Sequence, residues 1–314
     1  MTYKVLHMWH PSHKVLDLAA AERFFKDVFG RDSEPVERHI PPKEQAPEYP
    51  RDYAVLTPIQ EVLFDSIDPK KYVVEGRKPY DDVTKPHLHG LGWVVEGAEE
   101  IYQTCLKHVI RSTDQVNRLG SPDKPPVVGF SKSPCFFTLP EVTGLRYQIY
   151  PVSATEGADP RAEPGWSVPP LSESDPLSLE FCSHHTVLTC NPEQGKRFLV
   201  DILRGRIIHQ GRNEILETDS TYIALGDGVY ELAVPTRDGS FAAEELKHHD
   251  VAPFDSYISL TFKVKDLAKV EKHLAAMKIR TLVRDQHTIT TDPEDTIGVA
   301  WGFTDKLVPG DPRT

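Results

Sequence analysis

The chain carries one sequence pattern twice, and that repeat limits the folds open to it. "MWHPSHKVLDLAAAERFFKDVFGR" (Met8 to Arg31) returns as "CSHHTVLTCNPEQGKRFLVDILRG" (Cys182 to Gly205). A shift of 174 residues sets His10 on His184, Asp17 on Asn191, Arg23-Phe24 on Arg197-Phe198 and Asp27 on Asp201. In each copy a strand-like run (Tyr3 to His10; Phe181 to Cys190) feeds an amphipathic helix. Phe24, Phe25, Val28 and Phe29 share one face of the first helix, and Phe198, Leu199, Ile202 and Leu203 share one face of the second. Asp17 and Asn191 are placed to cap the two helices, and Gly30 and Gly205 to stop them.

Each half divides again. "HGLGWVVEGAEEIYQTCLKHV" (His89 to Val109) and "SYISLTFKVKDLAKVEKHLAAMKI" (Ser256 to Ile279) are both strand then helix. Strand-like pieces follow every helix. The last of each set are "EVLFDSIDP" (Glu61 to Pro69), "LRYQIYP" (Leu145 to Pro151), "VYELAVP" (Val229 to Pro235) and "GVAWGF" (Gly298 to Phe303). The plan is strand, helix, then about three strands, four times over. "SATEGADPRAEPGWSVPPLSESDP" (Ser153 to Pro176) has no apolar periodicity and is rich in Pro, Gly, Ser and acidic residues. It reads as a linker, giving domains at residues 1–152 and 178–314 with a linker over 153–177.

Composition narrows the partners. A net charge of −11 leaves no basic surplus for nucleic acid or an anionic membrane surface. No apolar run approaches the roughly 20 residues of a spanning helix, and "MTYKVLHMWH" has no secretory pattern. Cys105, Cys135, Cys182 and Cys190 lack a CxxC spacing and read as reduced thiols. The expectation is a cytoplasmic enzyme.

"H-x(4)-V-x-D-L" leading into "A-x-x-F-F-x-x-V-x-G", within that fourfold plan, resembles the vicinal oxygen chelate superfamily of glyoxalases, extradiol dioxygenases and bleomycin-binding proteins. The likeness covers nearly the whole chain apart from the linker. It implies an α+β fold of four βαβββ modules paired into two half-open β-barrel domains. It also implies a divalent metal (Fe, Mn, Zn, Ni or Co) held by side chains of first and fourth strands, with open positions for two neighbouring substrate oxygens.

Strand parity places His10 on a face with Met8 and Leu6, away from His7 and His13, and sets His184 opposite to His185. Counting back from the closing prolines gives Asp65 and Glu231 as fourth-strand carboxylates, with Gln148 in the second module. Glu231 stands out because a lone buried carboxylate in an apolar strand calls for a cation. In module two the first-strand position falls on Gly90, and one bulge would turn His89 inward. Module four offers Ser259, with Val299 or Trp301 on the last strand, where extradiol enzymes take two iron ligands.

Three metal sets stay open. Modules one and two would gather His10, Asp65, His89 and Gln148. Modules two and three, as in fused glyoxalases, would gather His89, Gln148, His184 and Glu231. The third keeps His184 and Glu231 alone, with water. Around the metal, His249 (or His248) is a candidate acid or base, Tyr222 or Tyr257 could orient a substrate oxygen, and Glu231 could move a proton. Trp9, Trp93 and Trp301 would suit a flat apolar substrate. The resemblance thus implies an enzyme that stabilises an enolate or oxyanion of a small, vicinally oxygenated metabolite, with isomerase, lyase and ring-opening outcomes open. The alternatives are a ring-cleaving dioxygenase and a metal-free binding or resistance protein. A homodimer is left open.

Overall fold

The computed structural model describes residues 3–129, 131–155, 159, 161, 165–248 and 254–313. They form four βαβββ modules. The first runs β1 (Lys4–Lys14), α1 (Leu18–Phe24), β2 (Glu34–Pro35), β3 (Ala54–Ile59) and β4 (Val62–Ile67). The second runs β5 (His87–Glu96), α2 (Ala98–Lys107), β6 (Ser112–Thr113), β7 (Phe136–Thr138), the short α3 (Pro140–Thr143) and β8 (Arg146–Pro151). The third is β9 (Leu179–Leu188), α4 (Pro192–Lys196), β10 (Arg206–Asn213), β11 (Thr218–Leu225) and β12 (Gly228–Pro235), followed by α5 (Phe241–His248). The fourth is β13 (Ser256–Val264), α6 (Leu267–Ala276), β14 (Thr281–Arg284), β15 (Thr288–Thr291) and β16 (Gly302–Thr304).

Two eight-stranded mixed sheets result, ordered β2-β3-β4-β1-β5-β8-β7-β6 and β10-β11-β12-β9-β13-β16-β15-β14. At each centre two first strands run antiparallel, β1 with β5 and β9 with β13, and each is flanked by its own module's fourth strand in parallel. Module one therefore pairs with two, and three with four. The cross-pairing of modules two and three does not occur, because the hydrogen-bonded edge of β5 is taken by β1 rather than β9.

The helices form as their residues dictate. Asp17 caps α1 by accepting from the Ala19 amide at 2.9 Å. A π-helical turn (Phe25–Phe29) continues α1 and ends on Gly30 at φ 66°; its counterpart Arg197–Ile202 continues α4. Asn191 departs from expectation, since its side chain makes no capping bond and Pro192 opens α4 instead.

One hydrophobic cluster runs through both halves. Phe29 of module one meets Trp301 of module four at 4.7 Å between ring centres, Phe198 of module three stacks on Tyr147 of module two at 5.0 Å, and Trp93 Nε1 donates to Tyr230 Oη at 2.6 Å. Burying each such ring stabilises the fold by roughly 1.5–3 kcal/mol. The last strand corrects one expectation. It begins at Gly302, so Val299 and Trp301 precede it, and both lie in the core rather than in a cup. Trp93 is core too; among the three tryptophans singled out, Trp9 alone reaches a cup. The four cysteines are free thiols, three buried and Cys190 exposed. No described helix is long and apolar enough to cross a membrane.

Candidate active site

Each cup is aimed by a β-bulge. Along β1, Met8 pairs with Trp93 and His10 with Gly92, leaving Trp9 as the extra residue. Along β9, Cys182 pairs with Phe262 and His184 with Thr261, leaving Ser183 extra. A bulge breaks strand alternation. Met8 thus turns into the core while Trp9 and His10 both line the N-terminal cup, so the face expected to join Met8 and His10 is split. His13 points the other way as expected, with Nε2 2.8 Å from Ile297 O. His185 is likewise on the core side, with Nδ1 2.7 Å from Tyr257 Oη.

The N-terminal cup encloses about 100 Å³ walled largely by Trp9, Tyr49, Tyr53, Tyr72, Tyr80 and Tyr150. On its floor His10 Nδ1 lies 3.6 Å from Asp65 Oδ2 and 3.3 Å from Ser12 Oγ. Gln148 Nε2 donates to Ser12 Oγ at 2.9 Å, and Tyr150 Oη donates to Gln148 Oε1 at 2.8 Å. Burial, helped by the charge of Arg161, pushes the His10 imidazolium down to about 3, so the ring is neutral near pH 7. Burial pushes the Asp65 carboxyl up to about 8, and its Oδ1 is buried without a hydrogen-bond partner. The bulge expected at His89 is present, since Ser12 pairs with Gly90 and His13 with Leu88. His89 packs edge-on against Tyr80 at 5.1 Å. His10, Asp65 and Gln148 therefore share one cup, and His89 meets its wall.

The C-terminal cup is wider, about 440 Å³, and lined by hydroxyls such as Thr186, Ser259 and Thr261 beside His184 and Tyr222. His184 Nε2 lies 3.7 Å from Glu231 Oε2. Glu231 is fully buried, yet it is not the lone carboxylate its strand suggests. Thr186 Oγ1 (2.6 Å), Ser220 Oγ (2.6 Å), Tyr222 Oη (2.8 Å) and Asn213 Nδ2 (2.9 Å) all donate to it. Those four bonds supply the compensation expected of a cation. Burial, then the adjacent Glu231, pushes the Tyr222 phenol up, so Tyr222 acts here as a donor. From β13, module four contributes Ser259 and Thr261, neither of them a strong metal ligand; its Asp285 and His287 also line the cup, with His287 Nδ1 2.8 Å from Asp305 Oδ1. His89 and Gln148 belong to the other sheet, so the set of His89, Gln148, His184 and Glu231 is not assembled. His249 lies outside the described residues.

A second, shorter repeat accompanies the first. Asp159-Pro160-Arg161, inside the expected linker, returns as Asp311-Pro312-Arg313 near the chain's end. Arg161 holds Asp159 through Nε and Nη2 and donates to Trp9 O (2.6 Å) and Glu61 O (2.7 Å). Arg313 holds Asp311 and donates to Ser183 O (2.5 Å) and Asp227 O (3.4 Å). Both arginines thus tie down the carbonyl of the bulge residue just before the cup histidine. The amides beside the bulges are bound crosswise between the halves: Cys182 N donates to Glu61 Oε1 at 2.6 Å, and Met8 N donates to Asp227 Oδ1 at 3.1 Å. The repeated tripeptide was the available signal.

No protein-family model matches the chain, and no curated protein sequence matches it. The Mn(II)-bound glyoxalase from Novosphingobium aromaticivorans, 10% identical, matches over 100% of this chain and 87% of its own, with a TM-score of 0.59. A mutant 4-hydroxymandelate synthase from Streptomyces coelicolor, 12% identical, matches over 97% of this chain and 94% of its own, with a TM-score of 0.58. The chain has the fold of the vicinal oxygen chelate superfamily.

Proposed function

We propose that the N-terminal cup is the active centre of an enzyme acting on a small, flat molecule with two neighbouring oxygens, and that His10 and Asp65, with Gln148 beside them, hold a divalent cation there. The observation that carries this reading is Asp65 Oδ1, a buried carboxylate oxygen with no hydrogen-bond partner, on the same group whose Oδ2 lies 3.6 Å from a neutral imidazole. A carboxylate left so incomplete costs several kcal/mol unless a cation compensates it. Glu231 has no such deficit, which favours the N-terminal cup over the C-terminal one. The manganese named for the Novosphingobium glyoxalase supports a cation in a chain of this fold. When bound, the cation would neutralise charge developing on two adjacent substrate oxygens.

The remaining work falls to the chain. Ser12, Gln148 and Tyr150 form a hydrogen-bonded row that orients His10. The tyrosine walls exclude water and suit a planar substrate.

Isothermal titration of Mn²⁺ into the metal-stripped full-length protein tests the site. We expect Asp65→Asn to weaken binding at least about tenfold and Glu231→Gln to leave it unchanged. Loss with Glu231→Gln alone would move the cation to the C-terminal cup. The second reading, a metal-free binding protein, is favoured by one fact: among the described residues no three His, Cys, Asp or Glu side chains converge to hold a metal. Absence of saturable binding by Mn²⁺, Fe²⁺, Zn²⁺, Ni²⁺ and Co²⁺ would establish it.

A further inference from the structure

Matching strand positions carry opposite chemistry in the two cups. At one centre His10 pairs with Gly92 and Ser12 with Gly90; at the other His184 pairs with Thr261 and Thr186 with Ser259. Outward along the same register, Leu56 beside Asp65 becomes Tyr222 beside Glu231. Phe137 beside Gln148 becomes Thr290 beside Gly302. Tyr150, two residues further along its strand, becomes Thr304. One pair is exchanged outright. Gly92 faces Gln148 in the N-terminal cup, whereas Thr261 faces Gly302 in the C-terminal one, where a Cβ on the glycine would strike the Thr261 hydroxyl. Rings thus wall a cup of about 100 Å³, and hydroxyls wall one of about 440 Å³.

Most of those hydroxyls are engaged by the protein. Thr186 and Tyr222 bond Glu231, Ser259 bonds Ala300 O, and Thr304 donates to His287 O at 3.1 Å. Thr261 and Thr290 line the cup with hydroxyls that have no partner among the described residues. Gly302 is the strand position between them, so they flank a slot two strand spacings wide, about 9–10 Å between Cα atoms. Beside the slot His184 Nδ1 is 3.1 Å from Ser183 Oγ, and Nε2 lies 3.7 Å from Glu231 Oε2, too far for a direct bond. An alcohol oxygen about 2.8 Å from each could accept from the imidazole and donate to the carboxylate; a carbonyl or ether oxygen could do only the first. Histidines aside, the charged lining is balanced, Arg212 and Lys306 against Glu214 and Asp285, which suits an uncharged ligand. Leu216 and Val308 add an apolar part to the wall.

We infer that the C-terminal cup is a second ligand site, independent of any cation, and that it takes a neutral polyhydroxylated ring, a monosaccharide or cyclic polyol. One hydroxyl bridges His184 and Glu231, others meet Thr261 and Thr290 across the slot, and the C–H face meets the apolar part of the wall. This goes beyond the reading of the N-terminal cup and does not depend on it.

Methyl spectra of the full-length protein labelled at threonine Cγ2, recorded in EDTA, test the site. Titration with myo-inositol, D-glucose and D-xylose should move the Thr261 and Thr290 signals saturably for at least one of them. Cyclohexanol, a ring stripped to one hydroxyl, should bind at least about tenfold more weakly than that polyol. Thr261→Val combined with Thr290→Val keeps the shape without the hydroxyls and should also weaken the polyol at least about tenfold, followed on the Thr186 and Thr304 methyls. Thr261→Ser combined with Thr290→Ser keeps the hydroxyls and should retain the affinity, which separates their loss from a loss of fold. No saturable shift with any of the polyols, cyclohexanol binding as tightly, an affinity that the valines leave unchanged or the serines fail to keep, or binding that requires added Mn²⁺ would overturn the inference.

Discussion

Arg161→Ala should cost the fold about 3–5 kcal/mol, the loss found when one partner of a buried ion pair is removed. Asp159 is 0% exposed at its side chain and Arg161 6%, so the substitution strands a carboxylate where water cannot reach it. Burial alone would raise Asp159; hydrogen bonds from His7 and Arg161 hold it down at about 2. The same substitution leaves the carbonyls of Trp9 and Glu61 without their donor. His7 Nε2 stays 2.9 Å from Asp159 Oδ2. Arg313→Ala should cost less, because Arg313 is 23% exposed and water can replace it. Urea unfolding of both variants checks the order. A loss under about 1 kcal/mol for Arg161→Ala would show that Arg161 does not brace β1.

Glu61→Gln should stabilise the protein by about 3 kcal/mol at pH 8 and leave it unchanged at pH 4. Burial pushes the Glu61 carboxyl up to about 7, and nearby Asp227 adds to the rise against bonds from the chain. The folded state therefore keeps the proton up to about pH 7, whereas the unfolded chain releases it near the ordinary 4.5. Across that window the folded state binds more protons, so Glu61 weakens the fold as pH rises, by about 1.4 kcal/mol per pH unit. Glutamine keeps the acceptor for the Cys182 amide and does not titrate. Stability curves of variant and wild type should thus meet at acid pH and separate between pH 4.5 and 7. Curves that run parallel would refute the assignment. Because Glu61 belongs to module one and Cys182 to module three, the same measurement reports on the contact between halves.

The local code was legible. Spacing of phenylalanines and of strand-like runs set out four repeated modules, Asp17 marked a helix start, and Gly30 its left-handed end. Those features depend on residues a few positions apart, and so does the choice of His10 over His13 and of His184 over His185. The cup residues were harder. Asp65 and Gln148 could be counted to their places because a strand has a period of two, but whether they meet His10 or His184 depends on which edges of β5 and β9 pair, a matter of register across more than 80 residues. A bulge shifts parity by one and leaves no mark in composition, which is why Met8 was misplaced. Glu231 looked like an orphan in its strand because its four donors come from β9, β10 and β11. Local sequence therefore specifies the elements, their fourfold order and the histidines carried on two first strands. Which side chains share a cup and which buried polar groups lack partners is set by packing, because burial and pairing are properties of the neighbours a residue acquires when distant segments meet.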